Sequence, residues 1–446
     1  ENITTGIITS SANNKKEIID GNNISITSQQ GEINATQPIQ SFSEGGNAGN
    51  VTLKAKTNIN TNIISSYGQR KGGQISITAE SGNIDTSNAS VTNYSGKGEG
   101  GNVTIEANQG NVTTSDIYSF ADGNGGKITV IAGEEINVAE NSNIISAGNV
   151  NLTREQGGFY DTQTIDKFSY SSTSGNGGEI TLNAKKINPP GDENTGKLTI
   201  NTFSVGEKNS GRGGNVNITT NNLTNTEILT LSSHSESGKI TIESQTQEQL
   251  QVKDSSIITS ATVGIKVCDS CEPRIIKVGA KGQSGEVSIT SDGNLNLNNV
   301  NIESDTKSNQ TAGDITIKAS QNIELTNNSK LQADTQGSGN AGTIKVESQT
   351  LNLDEGTSLT TRTTGKGAPG KIEIEAKTVD IGEKAKISAT ITQDSTNETG
   401  GGSINIDANT LNISGSLGIF AETEGLADAG TLTLKTYNNT PDLDIN

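Results

Sequence analysis

Cysteine, histidine and clustered carboxylates are where chemistry would sit in this chain, and it has few of them. Its only cysteines, Cys268 and Cys271, lie in Val267-Cys268-Asp269-Ser270-Cys271-Glu272-Pro273. A zinc site needs further ligands of this kind, and the one histidine, His234, is far away in sequence. A thioredoxin-like redox pair needs a βαβ context that the sequence does not offer. The expectation is therefore a short disulfide-closed knuckle, oxidised if the protein is exported. His234 sits among serines, with no acid or nucleophile beside it in sequence.

Acid–base chemistry on a polysaccharide needs two carboxylates close together, or an Asp with Arg or Lys, on one face. Here the acidic residues are scattered along the chain. Glu347, Glu375 and Asp407 occupy one outward position in consecutive repeats, and Glu106 and Glu243 share that phase. The strip Glu347, Glu375, Asp407 is a candidate cation site, with calcium as the candidate ion. The plainer expectation for it is a solvated face. No catalytic residue and no dedicated metal site is expected, so the chain reads as a non-enzyme.

A third set of candidates comes from segments that interrupt the pattern, since function on a repetitive scaffold tends to sit on loops that leave it. Residues 153–176 contain Phe159, Tyr160, Phe168 and Tyr170, in a chain with only six Phe and six Tyr. These four are candidate glycan contacts, through stacking on sugars. The plainer expectation is that Phe159 and Tyr160 pin the loop onto the scaffold. Residues 188–196 carry Pro189-Pro190 and Asp192-Glu193, and residues 262–284 hold the cysteines with Lys266, Arg274, Lys277 and Lys281.

The elements that must carry these residues are given by one recurring motif, Gly-x-[Ile/Val/Leu]-x-[Ile/Val/Leu]. It appears at Gly49-Asn50-Val51, Gly73-Gln74-Ile75, Gly101-Asn102-Val103 and Gly126-Lys127-Ile128. It continues through Gly178, Gly214, Gly238, Gly285, Gly313, Gly342, Gly370, Gly402 and Gly430. Gly148-Asn149-Val150-Asn151-Leu152 reads as a further copy in the long gap after Ile128. The intervals from Ile180 to Val216 and from Ile240 to Val287 read as single units with insertions.

Within a unit, apolar and polar residues alternate, which is strand periodicity. Ile372, Ile374 and Ala376 are followed by Val379 and Ile381, then Ala385, Ile387 and Ala389. Each unit thus holds three short strands, separated by Asn, Asp, Gly, Ser and Thr, which tolerate corner conformations. Three such faces bury nothing alone. Stacked turn on turn they pair their backbones and line up their apolar residues. The expected fold is a right-handed parallel β-helix, one repeat domain over residues 1–446. About 15 or 16 turns at roughly 4.8 Å each would make a rod on the order of 70–80 Å long.

Composition fits this reading. Only 29% of residues are apolar and 3% aromatic, which would point to disorder were the alternation not so regular. The net charge of −18 and the lack of a basic patch exclude nucleic acid as a natural partner. No apolar run approaches a membrane span. Thr-x-Thr ladders suited to ice are broken by Lys54, Glu106 and Asn183, and the tandem acidic loop of calcium-binding β-rolls does not recur.

Gly339-Asn340-Ala341-Gly342-Thr343-Ile344-Lys345-Val346 and Leu351-Asn352-Leu353-Asp354-Glu355-Gly356-Thr357-Ser358-Leu359 resemble the repeats of large filamentous-haemagglutinin-type exoproteins of two-partner secretion, especially cyanobacterial ones. Gly46 to Leu53 and Leu411-Asn412-Ile413 are similar. The resemblance implies a long β-helix exported through an outer-membrane partner pore, secreted or held at the cell surface, as a structural or adhesive fibre. The amino-terminal secretion domain of that family has no match before Ile24. The chain is expected to be a segment of a longer exoprotein, or a unit stacking end to end with copies of itself. A glycan-binding or polysaccharide-degrading β-helix is the alternative.

Overall fold

A computed structural model describes the chain except for residues 139–140, 155–164, 171–173, 189–195, 207–208, 246–247, 261–280, 393–394, 397–399, 415–416 and 440–441. At 151–154, 165–170, 188 and 439 only the backbone is described. The chain divides into two compact units. The first covers Glu1–Ile218 with Leu231–Ser235. The second covers Thr219–Thr230 and most of the chain after Glu236. Each has the stacked parallel coil of a right-handed β-helix.

In the first unit one wall is built from Ile24–Ser28, Val51–Ala55, Ile75–Ala79, Val103–Ala107, Ile128–Ala132 and Ile180–Asn183, all parallel. Ile75, Val103 and Ile128 pair in register and are fully buried, as their shared motif position requires. The second unit repeats the wall from Ile240–Glu243 to Thr431–Lys435. There Ile315, Ile344, Ile372 and Ile404 form the same buried column. Each such side chain removed from water is worth about 1.5–3 kcal/mol, so a thin core of small aliphatics suffices when it recurs on every turn. Ile240 pairs directly with Val287, so the long interval between them is one coil with an insertion.

The glycine of the motif follows from close approach. Each one packs on its counterpart a turn earlier. A Cβ on Gly101 would stand 1.9 Å from the carbonyl oxygen of Gly73, and one on Gly313 would stand 1.9 Å from that of Gly285. Buried hydroxyls seal the same corner. Ser119 Oγ accepts from Gly126 N at 3.0 Å and donates to Gly101 O at 3.0 Å. Ser66 does the same between Gly73 and Gly49, and Ser146 between Gly178 and Gly126. These groups would otherwise be unpaired inside the coil, at a cost of about 1–3 kcal/mol each.

Asparagine has its own structural role. At the corner before the second strand, Asn58 Oδ1 accepts from Asn83 N at 2.9 Å, and Asn83 Oδ1 from Asn111 N at 2.8 Å. Each amide oxygen thus caps a backbone N–H one turn on. At the next corner, Asn225, Asp254 and Asn299 take positive φ near 50°, a conformation these short polar side chains tolerate. In Leu250–Ser260 and Leu295–Asp305 the second and third strands run on as one, bent at Asp254 and Asn299.

Two expectations need correction. Val150 to Leu152 is not a further coil. Ile180 pairs directly with Ile128, while Val150–Arg154 forms an antiparallel hairpin with Ile165–Tyr170. Asn149, at φ 63°, turns the chain out of the stack there, and its side-chain amide donates to Val205 O at 2.6 Å. Second, the third strands of the first unit are not alternately buried and exposed. Every residue of Ile39–Ser43, Ile64–Gly68, Val91–Ser95 and Ile117–Ala121 is buried.

Candidate functional site

The strip Glu347, Glu375, Asp407 exists as a column. Glu347 pairs in register with Glu375, and Glu375 with Asp407. Lysines occupy the space a cation would need. Lys318 Nζ lies 2.7 Å and Lys345 Nζ 2.5 Å from the Glu347 carboxylate, and Lys345 reaches Glu375 at 3.8 Å. The hydrogen bond from Lys318, then that from Lys345, holds the Glu347 carboxyl below its usual range. Asp407 faces Lys435 across the ladder. The column is a run of surface ion pairs, each contributing little in water. Among the described residues, no group of three His, Cys, Asp or Glu side chains is arranged to hold a metal.

The other candidates fall largely elsewhere. Cys268 and Cys271 lie outside the described residues, as do Phe159 and Tyr160. Phe168 and Tyr170 lie on the outer strand of the hairpin, opposite Leu152 and Val150.

A different aromatic set emerges from the fold. Phe42, Tyr67, Tyr94 and Phe120 stand on successive rungs of the third strand in the first unit. The first three rings stack at 5.3 Å centroid separations, and Phe120 meets Tyr118 at 5.2 Å. All are buried, so they act as packing, with each ring adding area and offset-stacking attraction. Their phase, three residues after Ile39, Ile64, Val91 and Ile117, was the readable signal.

The structure also brings together carboxylates that look scattered in sequence. Asp305 and Asp334 stand on adjacent rungs of the second unit, and Arg362 on the next. Asp334 N donates to Asp305 Oδ1 at 3.2 Å, and Arg362 N to Asp334 Oδ1 at 2.7 Å. The Arg362 guanidinium lies 3.2 Å from the Asp334 carboxylate, whose side chain is only 3% exposed. Burial, then the charge of Asp334, pushes the Asp305 carboxyl up to about 7. Burial also raises Asp334, against the pull of Arg362. A carboxyl that keeps its proton near neutrality beside an anchored carboxylate is the raw material of acid–base chemistry. Here Asp334 is covered and spent on Arg362, while Asp305 is half-buried. The position three residues after the inward Ile302, Leu331 and Leu359 marks all three residues.

No protein-family model, no curated protein and no solved structure matches this chain. The β-solenoid that the resemblance implied is present, and the likeness to one exoprotein family rests on the repeat residues alone. Among the described residues, no helix is long and apolar enough to cross a membrane.

Proposed function

We propose that this chain is part of an extracellular fibre of the bacterial cell surface, structural and adhesive in role, similar in kind to filamentous-haemagglutinin-type exoproteins exported through an outer-membrane pore. One observation carries the reading. Among the described residues, the exposed large apolar side chains gather in one end coil of the first unit and in the last coils of the second. They are Ile7, Ile18 and Ile19 in the first, and Ile413, Leu417, Leu426, Leu432 and Ile445 in the second. Three of them, Ile413, Leu432 and Ile445, continue columns whose preceding members Ile381, Ile404 and Leu411 are buried. In the proposed fibre, a coil of a neighbouring copy covers these side chains by continuing the strand ladders.

The reading is non-catalytic. Its support is that, in the close pair Asp305 and Asp334, the Asp334 carboxylate is buried and tied to Arg362. Immunogold electron microscopy on cells of the native source tests the proposal. Label on cell-attached fibres is the expected result, and label confined to the cell interior overturns it.

A further inference from the structure

The motif Leu-Asn-Leu has a side that faces solvent, where some side chains bond along the column, as Asn296 does to Glu324 at 3.1 Å and Asn412 to Asp380 at 2.6 Å. In the second strands of both units, the middle residue points outward and stacks into a column of short polar side chains. In the first unit the column runs Asn34, Asn60, Asp85, Thr113, Asn137. In the second it runs Gln251, Asn296, Glu324, Asn352, Asp380, Asn412. Beside each column runs the corner column of asparagines. The two together make a shallow groove at the same place in each unit. One is about 280 Å³ and includes Asn58, Asn60, Asn83, Asp85 and Asn111. The other is about 400 Å³ and includes Asn294, Asn296, Asn322, Glu324 and Asn352.

The corner amides are oriented by the fold. The oxygens of Asn58, Asn83 and Asn111 each accept a backbone N–H one turn on, and that of Asn294 does the same. Because the oxygen is fixed as the acceptor, the NH₂ group of each is left at the groove as a donor, one rung apart. Asp85 and Glu324 supply acceptors in the neighbouring column, each through the carboxylate oxygen not already bonded to Ser87 or Asn296. A ligand that accepts and donates at every rung spacing of roughly 4.8 Å fits this surface. Hydroxyls repeating along a linear sugar chain do so. Neither groove is lined by Lys, Arg or an aromatic ring, and each carries a carboxylate, which disfavours an anionic polymer.

We propose that these two grooves bind a linear, neutral, hydroxyl-rich polysaccharide lying along the coil axis, with one sugar per rung. The proposal rests on the adhesive reading and names its ligand class. Each contact is weak, and binding comes from repetition of contacts along one polymer.

Native affinity electrophoresis through gels containing hydroxyethylcellulose or polygalacturonate tests it. The chain is expected to be retarded by the neutral polymer and not by the anionic one. Combining Asn60→Val, Glu324→Val and Asn352→Val removes groove contacts without touching the corner amides and is expected to weaken retardation about five-fold or more. Thr52→Val with Thr316→Val, outward on the first wall, is the control and should migrate as the native chain does. Circular dichroism and the thermal midpoint check that both variants fold. Absent retardation in the neutral gel, equal retardation of the groove variant, or stronger retardation by polygalacturonate each overturns the proposal. Any of these leaves the immunogold result untouched, so the fibre reading stands or falls separately.

Discussion

Asp305 is the residue whose chemistry is most altered by folding. Its carboxyl has a folded pKa of about 7 against an ordinary value of 3.8, because burial and the neighbouring Asp334 both oppose ionisation. Between those two values the folded chain holds more protons at this site than the unfolded chain does. Stability from this site therefore falls as pH rises from about 4 to about 7. Asp305→Asn removes the ionisation. The variant is expected to gain about 1–3 kcal/mol over the native chain at pH 8 and little at pH 4, the figure reduced for partial solvent screening. Urea midpoints of both proteins at the two pH values check this, and an equal gain at both would show that the charge is not the cause. None of this was legible from spacing read acid by acid. Asp305 and Asp334 are far apart in the chain, and only the phase of the repeat sets them on adjacent rungs.

At the scale of the element, the motif Gly-x-[Ile/Val/Leu] was legible and its physical reason was not. Alternation alone identifies Ile75–Ala79 or Val103–Ala107 as strands, because period two leaves one apolar face to bury. Alternation does not say that Gly101 must lack a side chain. That follows from a backbone carbonyl, Gly73 O, occupying the space of its Cβ. Gly101→Ala is expected to cost about 1–3 kcal/mol or more through forced separation of the rungs. Gly6→Ala, where nothing lies within 4 Å of the new Cβ, should shift the denaturation midpoint far less. Similar losses at both positions would remove the ladder explanation. The strand Val150–Arg154 marks the limit of pattern reading. Its Gly-Asn-Val-Asn-Leu is the same as a coil strand, and only the turn at Asn149 and pairing with Ile165–Tyr170 divert it.

At the scale of the whole molecule, charge and exposed edges act against one another. A net charge of −18 repels a second copy, while exposed Leu426, Leu432 and Ile445 favour covering by another coil. Salt screens the first effect over about 8–10 Å near physiological ionic strength and leaves the second intact. The purified chain is therefore expected to associate more as salt rises from about 10 mM to 150 mM, and Leu432→Lys with Ile445→Lys to suppress that association. Light scattering across a concentration series measures both. Salt-independent scattering identical in the two proteins would count against end-to-end stacking.

The stacked parallel coil, its inward columns and its turn corners were determined by the sequence itself, because period-two alternation repeated at regular intervals admits few other ways to bury so little apolar surface. The raised pKa of Asp305, the burial of Phe42, Tyr67 and Tyr94, and the outward hairpin at Val150 were decided only by tertiary structure. Each depends on which rung lies against which, and that register is set by insertions and left-handed corners whose length in sequence does not translate into distance in space.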